Sequence, residues 1–198
     1  MIFMIKILII TVCFFISNCA YISYNQVIPL ARNAIFGIEK IKVDESFIES
    51  TEYSFARVNL GRSASVIMIL EKIDSDNNYH WISSDSEKLI TSDGKIIKTR
   101  DLIYNFEAIN HSFSLEESRG NYDVMFYDPQ AFIEQEFFIK EEGSEDNLKQ
   151  YVETVFNAPL NTTWKNIYKV NDLNYVVYTK QKIHPNLPTI EMDIFYKF

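Results

Sequence analysis

The chain has 198 residues, which suits one domain or at most two small ones, and 27 acidic against 19 basic side chains give it a formal charge of −8. A nucleic-acid backbone requires a positively charged binding surface, so this acidic chain is not expected to bind nucleic acid. Five glycines leave little for glycine-rich phosphate loops, and two cysteines with three histidines are too few for a closed zinc site. We therefore expect neither a cofactor nor a metal.

The first 18 residues differ from the rest of the chain and are predicted to be a signal peptide. Lys6 is their only charged residue, and it precedes an apolar core at residues 7–16. A membrane-spanning helix needs about 20 apolar residues, so a core of this length is typical of a signal peptide. An uncleaved N-terminal membrane anchor is the alternative interpretation.

The signal segment ends at Cys19, which is the predicted lipid-anchor residue. Residues 16–19 read Ile-Ser-Asn-Cys, a form in which a bacterial lipoprotein signal ends. The thiol would carry a diacylglycerol, and cleavage before Cys19 would free an amine for a third acyl chain, such as palmitate. Each buried CH₂ of an acyl chain contributes about 0.8 kcal/mol, so two or three chains hold a protein on a bilayer. Ala20 stands where an Asp would favour the inner membrane, which predicts an outer-membrane location.

The remaining chain is predicted to be one short helix followed by strands. Residues 27–41 carry apolar side chains at spacings of three and four, which indicates an amphipathic helix. From residue 53 the apolar side chains alternate with polar ones, which indicates strands. The predicted strands cover residues 54–59, 66–70, 79–83, 88–91, 96–99, 122–127, 134–141, 148–157, 167–170, 174–180 and 189–198.

Several of these segments carry more specific expectations. The continuous apolar run at 66–70 predicts a central strand covered on both faces. Asp93 and Gly94 predict a tight hairpin, because this pair accepts the positive φ angles of a type I′ turn. Residues 101–118 are less regular and are interpreted as holding a loop. Residues 148–157 fit either a helix or a strand, and their neighbours favour a strand.

About ten strands joined by short turns, without a βαβ rhythm, predict an antiparallel meander. We expect it to form a sandwich or an open half-barrel, with the short helix at its N-terminus. The predicted organisation is a lipoprotein signal peptide at 1–18, an acylated tether at 19–26 and a single mostly-β domain at 27–198. No internal repeat or linker interrupts that domain.

Residues that would indicate catalysis are scattered along the chain. His80, His111 and His184 lack the neighbouring ligands of a metal motif, and no nucleophile elbow is present. Acidic pairs occur at 116–117, 141–142 and 145–146, but adjacent strand residues point to opposite faces, which does not suit the two facing carboxylates of a glycosidase. The sequence therefore predicts no enzyme. The aromatic excess of 15% has two interpretations, stacking on sugar rings or filling a β core, and core filling is favoured.

Four stretches in this order resemble the YjbF/GfcB lipoproteins of group 4 capsule and related exopolysaccharide operons. The stretches are residues 53–58 with the apolar run 66–70, residues 81–85 with 89–91 and 93–99, residues 164–170, and residues 181–188. Together with the lipoprotein signal they span nearly the whole chain. Lys169 and Leu173 depart from the family pattern.

The resemblance implies a lipid-anchored outer-membrane protein whose domain faces the periplasm and assists capsule or exopolysaccharide secretion without catalysis. Its implied partners are the membrane, through the N-terminal lipid, outer-membrane and periplasmic polysaccharide-export proteins, and the polysaccharide itself. The alternative is a periplasmic carbohydrate-binding or lipid-carrying β module. The family supplies no catalytic residues to transfer to this chain.

Overall fold

The computed structural model describes residues 41–102, 104–110, 113–116, 119–145 and 147–197. The chain divides into two compact units, Met1–Ile38 and Glu39–Phe198, and all described residues belong to the second. The predicted signal peptide, the tether with Cys19, the helix at 27–41 except for its last residue, and His111 lie outside the described residues. The predicted domain boundaries therefore stay predictions.

The described residues form one short helix and twelve strands. The helix α1 (Glu45–Ser50) begins after Asp44, whose carboxylate accepts a hydrogen bond from the Phe47 N–H at 2.9 Å and so caps the first turn. The strands are β1 (Phe55–Leu60), β2 (Ser65–Ile73), β3 (Tyr79–Ser83), β4 (Lys88–Ser92), β5 (Lys95–Arg100), β6 (Phe106–Ile109), β7 (Arg119–Tyr127), β8 (Gln130–Glu145), β9 (Leu148–Asn157), β10 (Thr162–Val170), β11 (Val176–Gln181) and β12 (Ile190–Phe195).

The twelve strands form a closed antiparallel barrel, in which each strand pairs with the ones before and after it. The first and last strands complete the ring, with a register that runs from Phe55 opposite Phe195 to Leu60 opposite Ile190. The predicted sandwich or open half-barrel is therefore wrong, although the mainly β, antiparallel character is confirmed. The alternation of side chains indicates strands and their faces, but it carries no information about whether the first and last strands meet.

Local turn chemistry matches the sequence well. Asp93 and Gly94 both have positive φ angles, 47° and 77°, as the hairpin prediction requires. Residues 148–157 form a strand, which confirms the interpretation favoured over a helix. The irregular segment at 101–118 contains β6, which the sequence did not predict. β6 has only four residues, and in the described part of the chain it joins β5 by a single register pair, Lys98 opposite Glu107. Such a short strand gives only a weak alternation pattern in the sequence.

The core lies inside the barrel, where alternate side chains of each strand meet. Ile190, Met192 and Ile194 of β12 are buried there, as the alternation predicted. The expectation that residues 66–70 are covered on both faces is wrong, because Ile69 points outward and is 45% exposed. A strand of a closed barrel has one inner and one outer face, even where both are apolar.

Residues 41–51, here called the N-terminal strap, pack on the outside of β1. The Phe47 ring of α1 meets Phe55 edge-on at 5.3 Å, and Phe55 stacks on Phe195 at 4.8 Å. At the other end of the strap, the Ile41 N–H donates to Ser65 Oγ at 3.1 Å. Among the described residues, no helix is long and apolar enough to cross a membrane.

Candidate functional site: a filled barrel interior and two exterior grooves

A buried ion pair occupies the barrel interior. Lys95 of β5 and Glu153 of β9 form it, and their side chains are 1% and 0% exposed. Glu153 also accepts hydrogen bonds from Asn166 Nδ2 at 2.8 Å and from the Tyr168 hydroxyl at 2.7 Å. Both carboxylate oxygens of Glu153 thus accept hydrogen bonds. A charged group buried away from water needs such donors, because burial without them is costly.

Aromatic rings surround the ammonium group of this pair. Lys95 Nζ lies 3.7 Å from the centre of the Tyr122 ring and 4.6 Å from that of Phe113. Burial lowers the pKa of Lys95, and the nearby Glu153 carboxylate opposes that effect. Burial, followed by the charge of Glu153, raises the pKa of Tyr168 well above its ordinary value. The cluster is an internal, fully hydrogen-bonded network that does not face solvent.

A single glutamine joins opposite walls of the barrel. Gln181 of β11 donates to the Gly94 carbonyl at 2.7 Å and accepts from the Ile96 N–H at 3.0 Å, so it satisfies backbone groups of β5 and of the turn before it. The walls approach so closely that a Cβ on Gly94 would lie 2.5 Å from a methyl group of Val176. The start of β5 is therefore folded toward the interior, and this reduces the space inside the ring.

Aromatic side chains fill much of the remaining interior. Trp81 is fully buried and donates to Thr91 Oγ1 at 3.0 Å, while Trp164 donates to the Lys182 carbonyl at 2.6 Å. The buried aromatic residues of the core are Trp81, Phe106, Phe113, Tyr122, Phe126, Phe137, Trp164 and Tyr168. Core filling, the favoured interpretation of the aromatic excess, accounts for these residues. A site that binds a ligand or a partner is therefore sought on the outer surface of the barrel.

The first exterior feature is a groove of about 400 Å³ across the outer faces of β2 to β5, here called the basic groove. It is lined by Glu71, Lys72, His80, Lys88, Ile90, Lys98 and Arg100. Four of these side chains are cationic, in a chain whose formal charge is −8. The groove is therefore a positive region on an otherwise acidic protein.

The strand register places like charges side by side in the basic groove. Lys88 of β4 lies directly opposite Arg100 of β5. Two local carboxylates relieve part of the repulsion: Glu71 lies 3.4 Å from Lys88, and Glu107 lies 2.6 Å from Lys98. Among the described residues, Lys72 and Arg100 form no ion pair.

A second exterior groove, here called the tyrosine groove, runs over β9 to β12. Its volume is about 660 Å³, and it combines aromatic, apolar and charged side chains: Leu148, Gln150, Ile167, Lys169, Val177, Tyr178, Lys180, Asp193, Ile194 and Phe195. The Tyr178 hydroxyl donates to Glu191 at 2.7 Å. Burial and this carboxylate raise the pKa of Tyr178, so the phenol stays neutral at physiological pH.

The histidines that the sequence singled out are separated in the fold. His80 lies on the outer face of β3, 2.9 Å from Asp74, and its ring together with the Asn78 N–H holds the pKa of Asp74 well below the usual range. His184 packs against Phe126, and burial followed by the charge of Lys182 lowers its pKa. Within the described part of the chain, no three His, Cys, Asp or Glu side chains are placed to share a metal ion.

Sequence reasoning missed both the buried ion pair and the basic groove. The alternation in β9 places Glu153 on the same face as Val155, and this was the available signal for a buried acid. The cations of the groove come from three strands, β2, β4 and β5. Only the register shows that Lys88 and Arg100 are neighbours.

Comparison with known proteins bears on the fold and the family. A family model described as group 4 capsule polysaccharide lipoprotein gfcB, YjbF, matches residues 30–120. The uncharacterized lipoprotein GfcB of Escherichia coli (strain K12) is 24% identical over 98 residues, which cover 50% of this chain and 45% of that protein. The match thus spans about half the length of this curated relative.

A solved structure resembles the whole barrel. The hypothetical lipoprotein YmcC from Escherichia coli (K12) superposes with a TM-score of 0.71, covering 89% of this chain and 97% of that chain at 19% identity. A likeness at this identity shows the fold. With the family model and the curated relative, it confirms the resemblance of this chain to the YjbF/GfcB family of capsule polysaccharide lipoproteins.

Proposed function

We propose that this protein is an outer-membrane lipoprotein that acts, without catalysis, as an accessory factor in the secretion or assembly of a capsule or exopolysaccharide. The observation that carries the proposal is the match to the group 4 capsule polysaccharide lipoprotein family. The structure supports a role in binding, because the interior is occupied by the Lys95–Glu153 network and by aromatic side chains while the grooves lie outside.

Attachment through Cys19 is part of the proposal. The mature chain is acidic, so electrostatic attraction to anionic lipid is a poor substitute for acyl chains. About 22 residues separate Cys19 from Ile41, and a chain of that length reaches at most about 75 Å when fully extended. The barrel, facing the periplasm, would therefore stay within reach of outer-membrane and periplasmic export proteins, which are its proposed partners.

A second candidate function is carbohydrate binding in the periplasm. The exterior grooves favour it, because Tyr178 offers an apolar ring face with a polar tip beside charged side chains, a combination that suits sugar rings. The lipid-carrying variant of this alternative has less support. Side chains such as Trp81 and Tyr168 occupy the interior in which an acyl chain would have to lie.

The anchoring proposal is tested by releasing the domain from the membrane. An ordinary secretory signal replaces residues 1–19, so that residues 20–198 enter the periplasm in soluble form. The barrel is expected to fold, since its twelve strands lie between Phe55 and Phe195 and close a ring among themselves. The matched control carries a foreign lipoprotein signal joined at Cys19, which restores acylation.

Both forms are expressed at native level in a strain lacking the native gene. Fractionation is expected to place the control in the outer membrane and the soluble form in the periplasm. Polysaccharide at the cell surface is then measured, and it should fall with the soluble form alone. Full secretion with the soluble form would show that anchoring is dispensable, and the proposed mechanism would then be wrong.

A further inference from the structure

We propose that the basic groove binds a segment of an acidic polysaccharide, through its cationic side chains to the carboxylates or other anionic groups of the polymer. The inference rests on the proposed function, because it names the class of ligand that such an accessory factor would hold. Four cationic side chains from three strands converge on one groove of about 400 Å³, and Ile90 provides an apolar surface between them.

The arrangement of these charges carries the argument. Like charges directly opposite each other on neighbouring strands are destabilising, and Lys88 faces Arg100 in this way. Lys98 and Arg100 also lie two residues apart on one strand, so they point to the same outer face. Chain stability alone does not favour such a cluster. An anionic ligand lying across β4 and β5 would offset this repulsion. The protein should therefore be more stable to unfolding when the groove is occupied.

The two cations outside the ion pairs define where the ligand would lie. In the described part of the chain, neither Lys72 nor Arg100 has a carboxylate within ion-pair distance, although the charge of Arg100 acts on Glu107; they stand at opposite corners of the groove, on β2 and β5. Lys88 and Lys98 are only partly neutralised by Glu71 and Glu107. A chain of charged sugars that crosses the strands would meet all four cations in turn.

The shape of the surface favours a polymer over a membrane. A bilayer is flat, whereas these cations line a concavity in the wall of the barrel. The formal charge of −8 would repel an anionic bilayer from the remaining surface. A flexible polysaccharide strand can enter the groove without bringing other charges close to the acidic faces.

The test measures binding of polygalacturonate, a polymer of uronic acids, to the full lipid-anchored chain in nonionic detergent micelles. Neutral dextran is the comparison ligand. The test variant combines Lys72→Gln with Arg100→Gln, the two groove cations with no carboxylate within ion-pair distance in the described part of the chain. The matched control combines Lys140→Gln with Lys165→Gln, which removes the same charge from strands on the opposite side of the ring.

We expect the wild-type chain to bind polygalacturonate and not dextran, with an affinity that falls as salt rises. The Lys72→Gln/Arg100→Gln variant should bind about threefold to tenfold more weakly, since two exposed charge contacts are lost. The control variant should remain within about twofold of wild type. The urea midpoint of Arg100→Gln should be unchanged or raised, because the repulsion by Lys88 is removed. If the double variant is less stable, Lys72→Gln alone carries the binding test.

Several results would overturn the inference: no binding by the wild type, equal weakening in both double variants, or weakening only after Tyr178→Ser. A further arm adds phosphatidylglycerol to the micelles. If the test variant loses affinity for these micelles but not for polygalacturonate, the groove binds a membrane surface and the inference is wrong. Surface polysaccharide in a gene-deletion strain separates the two proposals. If deleting the gene lowers surface polysaccharide but the purified chain does not bind polygalacturonate, the proposed function stands and the proposed ligand of the basic groove is wrong. If the chain binds polygalacturonate but deleting the gene leaves surface polysaccharide unchanged, the ligand of the groove is supported and the proposed role in secretion is wrong.

Discussion

Replacing Lys95 with methionine is expected to destabilise the barrel strongly. Methionine fills a similar volume against Phe113 and Tyr122, but it leaves the fully buried Glu153 carboxylate without its cation. Breaking a buried pair by removing one partner costs about 3–5 kcal/mol. Asn166 and the neighbouring tyrosine still donate to the carboxylate, so we expect a loss near the lower value, about 3 kcal/mol.

A double variant isolates the interaction. Lys95→Met with Glu153→Gln removes both charges and keeps an acceptor for the neighbouring donors, so it should lose at least about 1.5 kcal/mol less than the sum of the single variants. Lys88→Met is the matched control, because its pair with Glu71 is exposed, and it should change stability by less than about 1 kcal/mol.

The measurement is urea unfolding of the soluble form, followed by the fluorescence of the two buried tryptophans, Trp81 and Trp164. The free energy of unfolding is compared among wild type, the two single variants, the double variant and the Lys88→Met control. A loss below about 1 kcal/mol for Lys95→Met, or additive single losses, would refute the reasoning that the pair is sealed from water and mutually dependent.

Three further predictions address other parts of the barrel. Gly94→Ala should lower the unfolding free energy by about 2–4 kcal/mol, because the turn needs a positive φ and the added Cβ meets Val176; an unchanged urea midpoint would contradict this. The pKa of His184 should lie below 6.5 in NMR titrations, and Lys182→Gln should raise it in part; a value at or above 6.5 would be inconsistent with burial. Because the pKa is lowered in the folded state, the contribution of His184 to stability is present above pH 6.5 and is lost as the pH falls through the folded pKa. His184→Ala should leave polysaccharide secretion intact in a strain producing folded protein, whereas a specific depolymerising activity abolished by this change would indicate an enzyme.

The sequence predicted the strands well because their signals are local. Asp93 and Gly94 specify a turn, and the alternation in residues 190–195 specifies which face is buried. Closure of the barrel depends on β1 meeting β12, strands from opposite ends of the domain. No local pattern records that encounter, and this is why the open and sandwich forms were expected.

The candidate site shows the same division between local and distant information. The spacing of Lys98 and Arg100 is visible in the sequence, but the approach of Lys88 depends on the register of β4 against β5. The pairing of Lys95 with Glu153 joins strands that are not neighbours in the ring. Lys95 follows a turn and resembles an ordinary solvated lysine in the sequence, so only the fold shows that it is buried.

The N-terminal strap determines where mechanical load would enter the barrel. Among the described residues, a pull from the N-terminal side reaches Ile41 first, where Ser65 Oγ accepts from the N–H and Arg57 donates to the carbonyl at 2.9 Å. Arg57 also forms an ion pair with Asp193 of β12, at 2.7 Å, across the junction that closes the ring. Tension applied at Ile41 would thus be shared by three strands, β2, β1 and β12, through the side chains of Ser65, Arg57 and Asp193.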